Sequence, residues 1–133
     1  MKVNLPALVV LALSFLALDA LWLGIVSVGF YQQAIGHLLA PEPDFVMAAI
    51  FYVVYLAGTY YFAVRPALKE GRVKTALISG GFFGFVAYAT YDLTNAATLR
   101  DWPVYMTVAD LIWGTVLTGL SSTLASAVGI KAR

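Results

Sequence analysis

The chain has no cysteine, a single histidine and only 11% charged residues in 133. Without cysteine there are no disulfides, no thiolate nucleophile, no thiolate-bound zinc and no iron–sulfur cluster. One histidine leaves no imidazole cluster of the kind a di-iron or haem-copper site needs. Eight Lys and Arg stand against seven Asp and Glu, a net charge of +1, so no basic excess exists to attract nucleic acid. An ordinary soluble domain carries about 25% charged residues, and too few are present here to cover a water-facing globule. Composition therefore argues against a soluble enzyme, a disordered tail and a nucleic-acid binder. What is abundant is apolar: 62% of residues are hydrophobic and mean hydropathy is +0.86. The length suits one domain, and its solvent is expected to be lipid.

A bilayer core takes about 20 apolar residues per helix, and four such stretches are present. They run about Leu5–Gly29, Phe45–Val64, Thr75–Leu99 and Val104–Ile130. Only Asp19, Asp92 and Asp110 interrupt them. Helices are expected because each satisfies its own backbone polar groups in lipid. The alternation of a transmembrane barrel is absent. The sequence therefore predicts an all-α, integral membrane four-helix bundle forming a single domain over residues 1–133. Lys2 followed by an apolar run has the outline of a secretory signal. The run is longer than a signal's apolar region and carries Asp19, so it reads as the first span.

The basic residues give an orientation. Lys2, Arg65, Lys69, Arg72, Lys74, Lys131 and Arg133 fall on one side of a four-span topology, and Arg100 alone falls on the other. By the positive-inside rule, both termini and the Arg65–Lys74 loop are expected in the cytoplasm. Tyr60 and Tyr61 suit an inner aromatic belt, and Phe30, Tyr31, Trp102 and Tyr105 an outer one. Pro66 and Gly71 punctuate the inner loop. The outer loop Phe30–Asp44 is mildly amphipathic, with room for a short interfacial helix before Pro41 and Pro43. Only Arg100–Pro103 joins the last two spans, which must then be antiparallel neighbours. Pro103 suits the first turn of the fourth helix, with Asp101 or Trp102 capping it.

The three carboxylates inside the spans carry the chemistry. Each charged Asp at the centre of a span costs roughly 2.5–3.5 kcal/mol on insertion scales, and no Lys or Arg lies deep enough to neutralise one. Asp92 lies nine residues before Asp101, and Asp110 nine after it. A rise of 1.5 Å per residue puts both about 10 Å below the outer surface. Asp19 is expected at a similar depth. At helical spacing, Tyr88, Asp92 and Asn95 share a face with Tyr91 beside them, and Thr107, Asp110, Trp113 and Gly114 line up on the fourth span. Asp19/Trp22 and Asp110/Trp113 both read D-x-x-W, a short pattern and weak evidence of a repeat. Tyr52 and Tyr55 can bring hydroxyls to the same cavity. The candidate binding set is Asp19, Trp22, Tyr88, Tyr91, Asp92, Asn95, Asp110 and Trp113.

Each of these has a plainer reading. A protonated Asp, or Asn95, can be hydrogen-bonding glue between helices. Trp22 and Trp113 can be ordinary packing, and His37 an exposed loop residue. Gly80, Gly81, Gly84 and the small residues from Gly114 to Gly129 most simply permit close helix approach.

The stretches Leu18–Gly24 (LDALWLG), Phe82–Leu99 (FFGFVAYATYDLTNAATL), Trp102–Pro103 and Asp110–Gly114 (DLIWG) resemble the Domain of Unknown Function 2177 family. The resemblance covers nearly the whole chain, with YDLTNAATL its most specific part. It implies a small polytopic protein of the bacterial cytoplasmic (inner) membrane, and it supplies no activity.

Three functions fit these residues. Clustered carboxylates in low dielectric repel one another, which favours holding a proton or a cation between them. Flanking Trp and Tyr rings suit an organic cation. The leading expectation is thus cation or proton binding, coupled to transport of a small or lipid-like molecule, in a homodimer because four helices are few for a pathway. The second is a membrane-embedded enzyme acting on a lipid. Its hard-oxygen set would suit Mg²⁺, Ca²⁺ or Mn²⁺, or two carboxylates would serve as acid and base. The third is an accessory subunit of a membrane complex, whose carboxylates only fix helix packing. No catalytic residue, metal or cofactor follows from the sequence.

Overall fold

A computed structural model describes residues 2–133. Four of its helices are long and apolar enough to cross a membrane: α1 (Leu5–Val26), α3 (Phe45–Glu70), α4 (Val73–Thr98) and α5 (Val104–Ala132). A short helix, α2 (Phe30–Ile35), lies between the first two. The described residues contain no strand. The chain is an all-α membrane bundle.

Local chemistry accounts for the ends of these helices. Asn4 starts α1 by accepting the Ala7 amide on Oδ1 at 3.1 Å, and Asp44 starts α3 by accepting the amides of Val46 and Met47, each at 3.1 Å. Both satisfy amides that a helix start leaves without partners. Helix α3 does not stop at Pro66, and the anticipated Arg65–Lys74 loop shrinks to Gly71 and Arg72. A π-turn at Tyr60–Val64 precedes the proline, the kind of adjustment that accommodates its missing N–H inside a span. Gly71, at φ 69°, ends the helix. Its amide bonds Leu68 O at 3.3 Å and that of Arg72 bonds Ala67 O at 3.1 Å, the Schellman pattern that a left-handed glycine allows. At the opposite end, Asp101 takes φ 57° to close the tight turn between α4 and α5. Neither Asp101 nor Trp102 caps α5. Pro103 itself occupies the capping position.

The central element is α5. It packs along α4 on one side and α1 on the other, and its buried residues are mostly Gly, Ser, Thr and Ala. Without a hydrophobic drive between helices in lipid, small residues set the contact by letting backbones approach. A Cβ at Gly84 would strike the Gly114 carbonyl oxygen, and one at Gly114 would strike the Tyr88 ring. On α1, Ala7, Leu11, Phe15 and Asp19 are buried at four-residue spacing, so the apolar seam facing α5 leads straight to a carboxylate. The register is antiparallel: Asn4 Nδ2 donates to Gly129 O at 3.1 Å, and farther along Trp113 Nε1 donates to Asp19 at 3.4 Å.

Helix α3 joins the bundle through its lower part. Tyr60 Oη accepts the Asn4 amide at 2.8 Å, Arg133 donates to Leu68 O, and Val64 and Leu68 pack on Ala7, Leu11 and Ala125. Both termini and the α3–α4 turn therefore share one end, which also carries Arg65, Lys69, Arg72, Lys74 and Lys131. The rest of α3 is tethered mainly by rings, Tyr52 to Phe15 at 6.0 Å and Tyr55 to Phe83 at 5.5 Å. Phe45, Val46, Val53 and Val54 on its outer face are exposed, as expected where lipid is the solvent.

Candidate functional site

At the end remote from the basic cluster, α1, α2, α4 and α5 line a half-open cavity of about 210 Å³. Its acids are Asp19 and Asp110. Its aromatic walls are Trp22, Tyr31, Tyr88, Tyr91 and Trp113. Two features of the backbone shape it. A π-turn at Trp22–Val26 ends α1, with the Trp22 carbonyl accepting both the amide and the hydroxyl of Ser27 at 2.7 Å each. Gly29, at φ 79°, then turns the chain back so that α2 lies across the top. Turns of π-helix cluster at functional sites, and here one sits beside both Trp22 and the reversal that covers the cavity.

The two D-x-x-W motifs meet in this place. Because α1 and α5 run antiparallel, each tryptophan lies level with the other helix's aspartate. The Trp22 and Trp113 rings stack, with centroids 4.6 Å apart and planes 8° from parallel. Asp19 accepts Tyr52 Oη–H at 2.5 Å and Trp113 Nε1–H at 3.4 Å. Asp110 accepts Tyr31 Oη–H at 2.6 Å, and Tyr31 in turn accepts Trp22 Nε1–H at 2.9 Å. Each carboxylate thus has one tyrosine donor, and each indole points to the other motif's acid, directly or through a hydroxyl. Burial first, and then the bond to Asp110, push the Tyr31 phenol above its usual range, so it remains a donor at neutral pH.

Asp92 differs from both. Its side chain has no exposure, and neither oxygen has a hydrogen-bond partner. Polar side chains of Asp110, Trp102 and Thr107 lie beside it, but none makes a hydrogen bond of ordinary geometry to it, and Trp102 Nε1 donates to Thr107 Oγ1 at 3.0 Å instead. It does not line the cavity and sits behind Asp110. A buried polar group left unpaired costs about 1–3 kcal/mol, and most buried polar groups in folded proteins are paired.

Of the eight candidate residues, Asp19, Trp22, Tyr88, Tyr91, Asp110 and Trp113 line one cavity, Asp92 adjoins it, and Asn95 is half-buried outside its lining. Tyr52 reaches Asp19, whereas Tyr55 turns away to Thr118 Oγ1 at 2.8 Å. Two residues assigned to the outer aromatic belt are not lipid anchors. Tyr31 points inward to Asp110, and Trp102 is buried against Ala34, Ile35 and Met106 beneath α2. Their place in the sequence, near the ends of spans, is the place of belt aromatics. The fold-back of α2 turns Tyr31 inward and covers Trp102, which is also held by Thr107 and Tyr91. Among the described residues, no group of three or more His, Asp or Glu side chains is arranged to hold a metal ion.

A family model described as a predicted membrane protein, DUF2177, matches residues 4–127. The chain belongs to the DUF2177 family. All three span carboxylates and both D-x-x-W motifs fall within the matched DUF2177 region. No curated protein and no solved structure matches the chain.

Proposed function

We propose that this membrane protein binds a cation or a proton at the acidic cavity between α1 and α5, and that occupancy is coupled to movement of a small or lipid-like molecule. One observation carries the reading: two carboxylates share a cavity walled by stacked indoles, while a third, Asp92, is buried behind them without a partner. An unpaired buried acid is costly, and intramembrane acids are functional by default. The cavity lining holds no Lys, Arg or His, so an occupant bearing positive charge offsets the acids. The indole and phenol faces add cation–π attraction, about 0.5–1 kcal/mol at an exposed ring and about 2 kcal/mol when desolvated. The metal-dependent form of the lipid-enzyme alternative has less support, because a divalent ion would find only two carboxylates in the cavity. The positive-inside rule sets the basic end in the cytoplasm and the cavity near the opposite face of a bacterial cytoplasmic membrane. The homodimer expected from the small helix number belongs to the same reading.

Tetramethylammonium titrated onto the protein in lipid nanodiscs tests this, with the stacked Trp22–Trp113 pair as a fluorescence reporter. Saturable change that weakens as pH falls, and that is lost in Asp110→Asn, is the expected result. Asn keeps an oxygen for Tyr31 and removes only the charge. A response identical in wild type and variant, or none at any pH, refutes the cation reading.

A further inference from the structure

The acidic cavity shares part of its wall with a neighbouring space. Tyr88 and Tyr91 also line a second space of about 350 Å³, completed by Phe51, Tyr55 and Ala87. This groove lies between α3 and α4, where the outer part of α3 stands clear of α4 and rings bridge the gap. Its lining has no ionisable group besides the tyrosine hydroxyls. Phe51 and Tyr91 are about half exposed, at 48% and 54%, so the groove opens sideways toward lipid. A charged, aromatic compartment thus shares two side chains with an apolar one. The cavity alone falls below the ~300–1,000 Å³ of most small-molecule sites, and the two together fall within that range.

We infer that the two spaces form one site for a single-chain cationic amphiphile, with its ammonium group at Asp19 and Asp110 and its hydrocarbon chain along Phe51, Tyr55 and Ala87. This rests on the cation-binding reading and names its ligand class. Net positive charge is required. The phosphate of a zwitterionic headgroup would face two carboxylates with no Lys or Arg in either lining, a like-charge contact in low dielectric. Lateral opening gives the ligand a route from the bilayer in which its chain never leaves an apolar medium. Tyr88 and Tyr91, which line both spaces, stand where headgroup and chain would meet.

The test uses the full chain in nanodiscs and a dodecyltrimethylammonium carrying a photoreactive diazirine in its chain, with labelled peptides read by mass spectrometry. Labelling is expected on the Phe51–Tyr55 and Ala87–Tyr91 segments. It should drop about tenfold or more in Asp110→Asn, since a charge-assisted contact is removed. A dodecyl sulfate probe of the same chain should not label these segments above other lipid-facing ones. Ala87→Leu, which fills the groove, should abolish the labelling and leave the tetramethylammonium response intact. Labelling spread evenly over the lipid-facing helices and indifferent to Asp110 overturns the inference. If tetramethylammonium still produces its Asp110-dependent response in that case, the amphiphile assignment alone fails. If that response is also missing, the cation reading fails with it.

Discussion

Replacing Asp92 with alanine should make the protein more stable. The substitution deletes two buried oxygens that have no hydrogen-bond partner, each costing about 1–3 kcal/mol. The gap left by three heavy atoms, roughly 30 Å³, costs about 0.7 kcal/mol at 24 cal/mol per Å³. Alanine's better helix propensity returns about 0.6 kcal/mol, so these two small terms cancel. A gain of about 2–3 kcal/mol remains, taken from the lower part of the orphan-atom range. For a chain of this length that is roughly 6–12 °C in Tm. Asp19→Ala is the control. It strands the Tyr52 hydroxyl and the Trp113 N–H, and should cost about 1–3 kcal/mol. Thermal unfolding of both variants in one detergent, followed by circular dichroism, gives the comparison. Opposite signs are the expected outcome. If Asp92→Ala falls in Tm as far as Asp19→Ala does, then Asp92 is hydrogen-bonded glue between helices and its retention needs no functional explanation.

Two further outcomes follow from the packing and the charge distribution. Gly84→Val should lower stability by about 1–3 kcal/mol through overpacking, because a Cβ there meets the Gly114 carbonyl and Thr118. Gly24→Ala, with nothing within 4 Å of the added carbon, should be near neutral in the same melt, and equal effects at both sites would contradict the close α4–α5 contact. A green fluorescent protein fused after Arg133 should fluoresce and an alkaline phosphatase fused there should be inactive, as a cytoplasmic C-terminus requires. The reverse pattern would invert the orientation drawn from Lys2, Arg65, Lys69, Arg72, Lys74, Lys131 and Arg133.

Much of the architecture is legible in the sequence, and the reason is the solvent. Lipid offers the backbone no hydrogen bonds, so long apolar runs must be helices, and four runs imply four helices. The tight Arg100–Pro103 connection pairs α4 with α5, and the glycines of Gly80–Gly84 are where those two backbones meet. Proline was the misleading signal. Pro66 reads as a loop, yet the π-turn at Tyr60–Val64 carries the helix through it to Gly71. A sequence rule for proline describes a straight α-helix, and it fails where the helix can change its own winding.

The candidate site divides in the same way. Cost alone singled out Asp19, Asp92 and Asp110, because charge in a span needs a reason wherever it points. Spacing added Trp22, Tyr88, Tyr91 and Trp113, which lie within a turn of those acids. What the sequence could not express is the antiparallel pairing of α1 with α5, which sets Asp19 level with Trp113 and turns two copies of a four-residue pattern into a stacked indole pair with crossed hydrogen bonds. Nor could it give Tyr31 its place or Trp102 its cover, since both depend on the Gly29 reversal laying α2 over the bundle. Residue type and depth are local properties, readable one helix at a time. The partner of Asp110, the burial of Asp92 behind it and the exclusion of Asn95 depend on how helices rotate about their axes against one another, and only the packed bundle decides that.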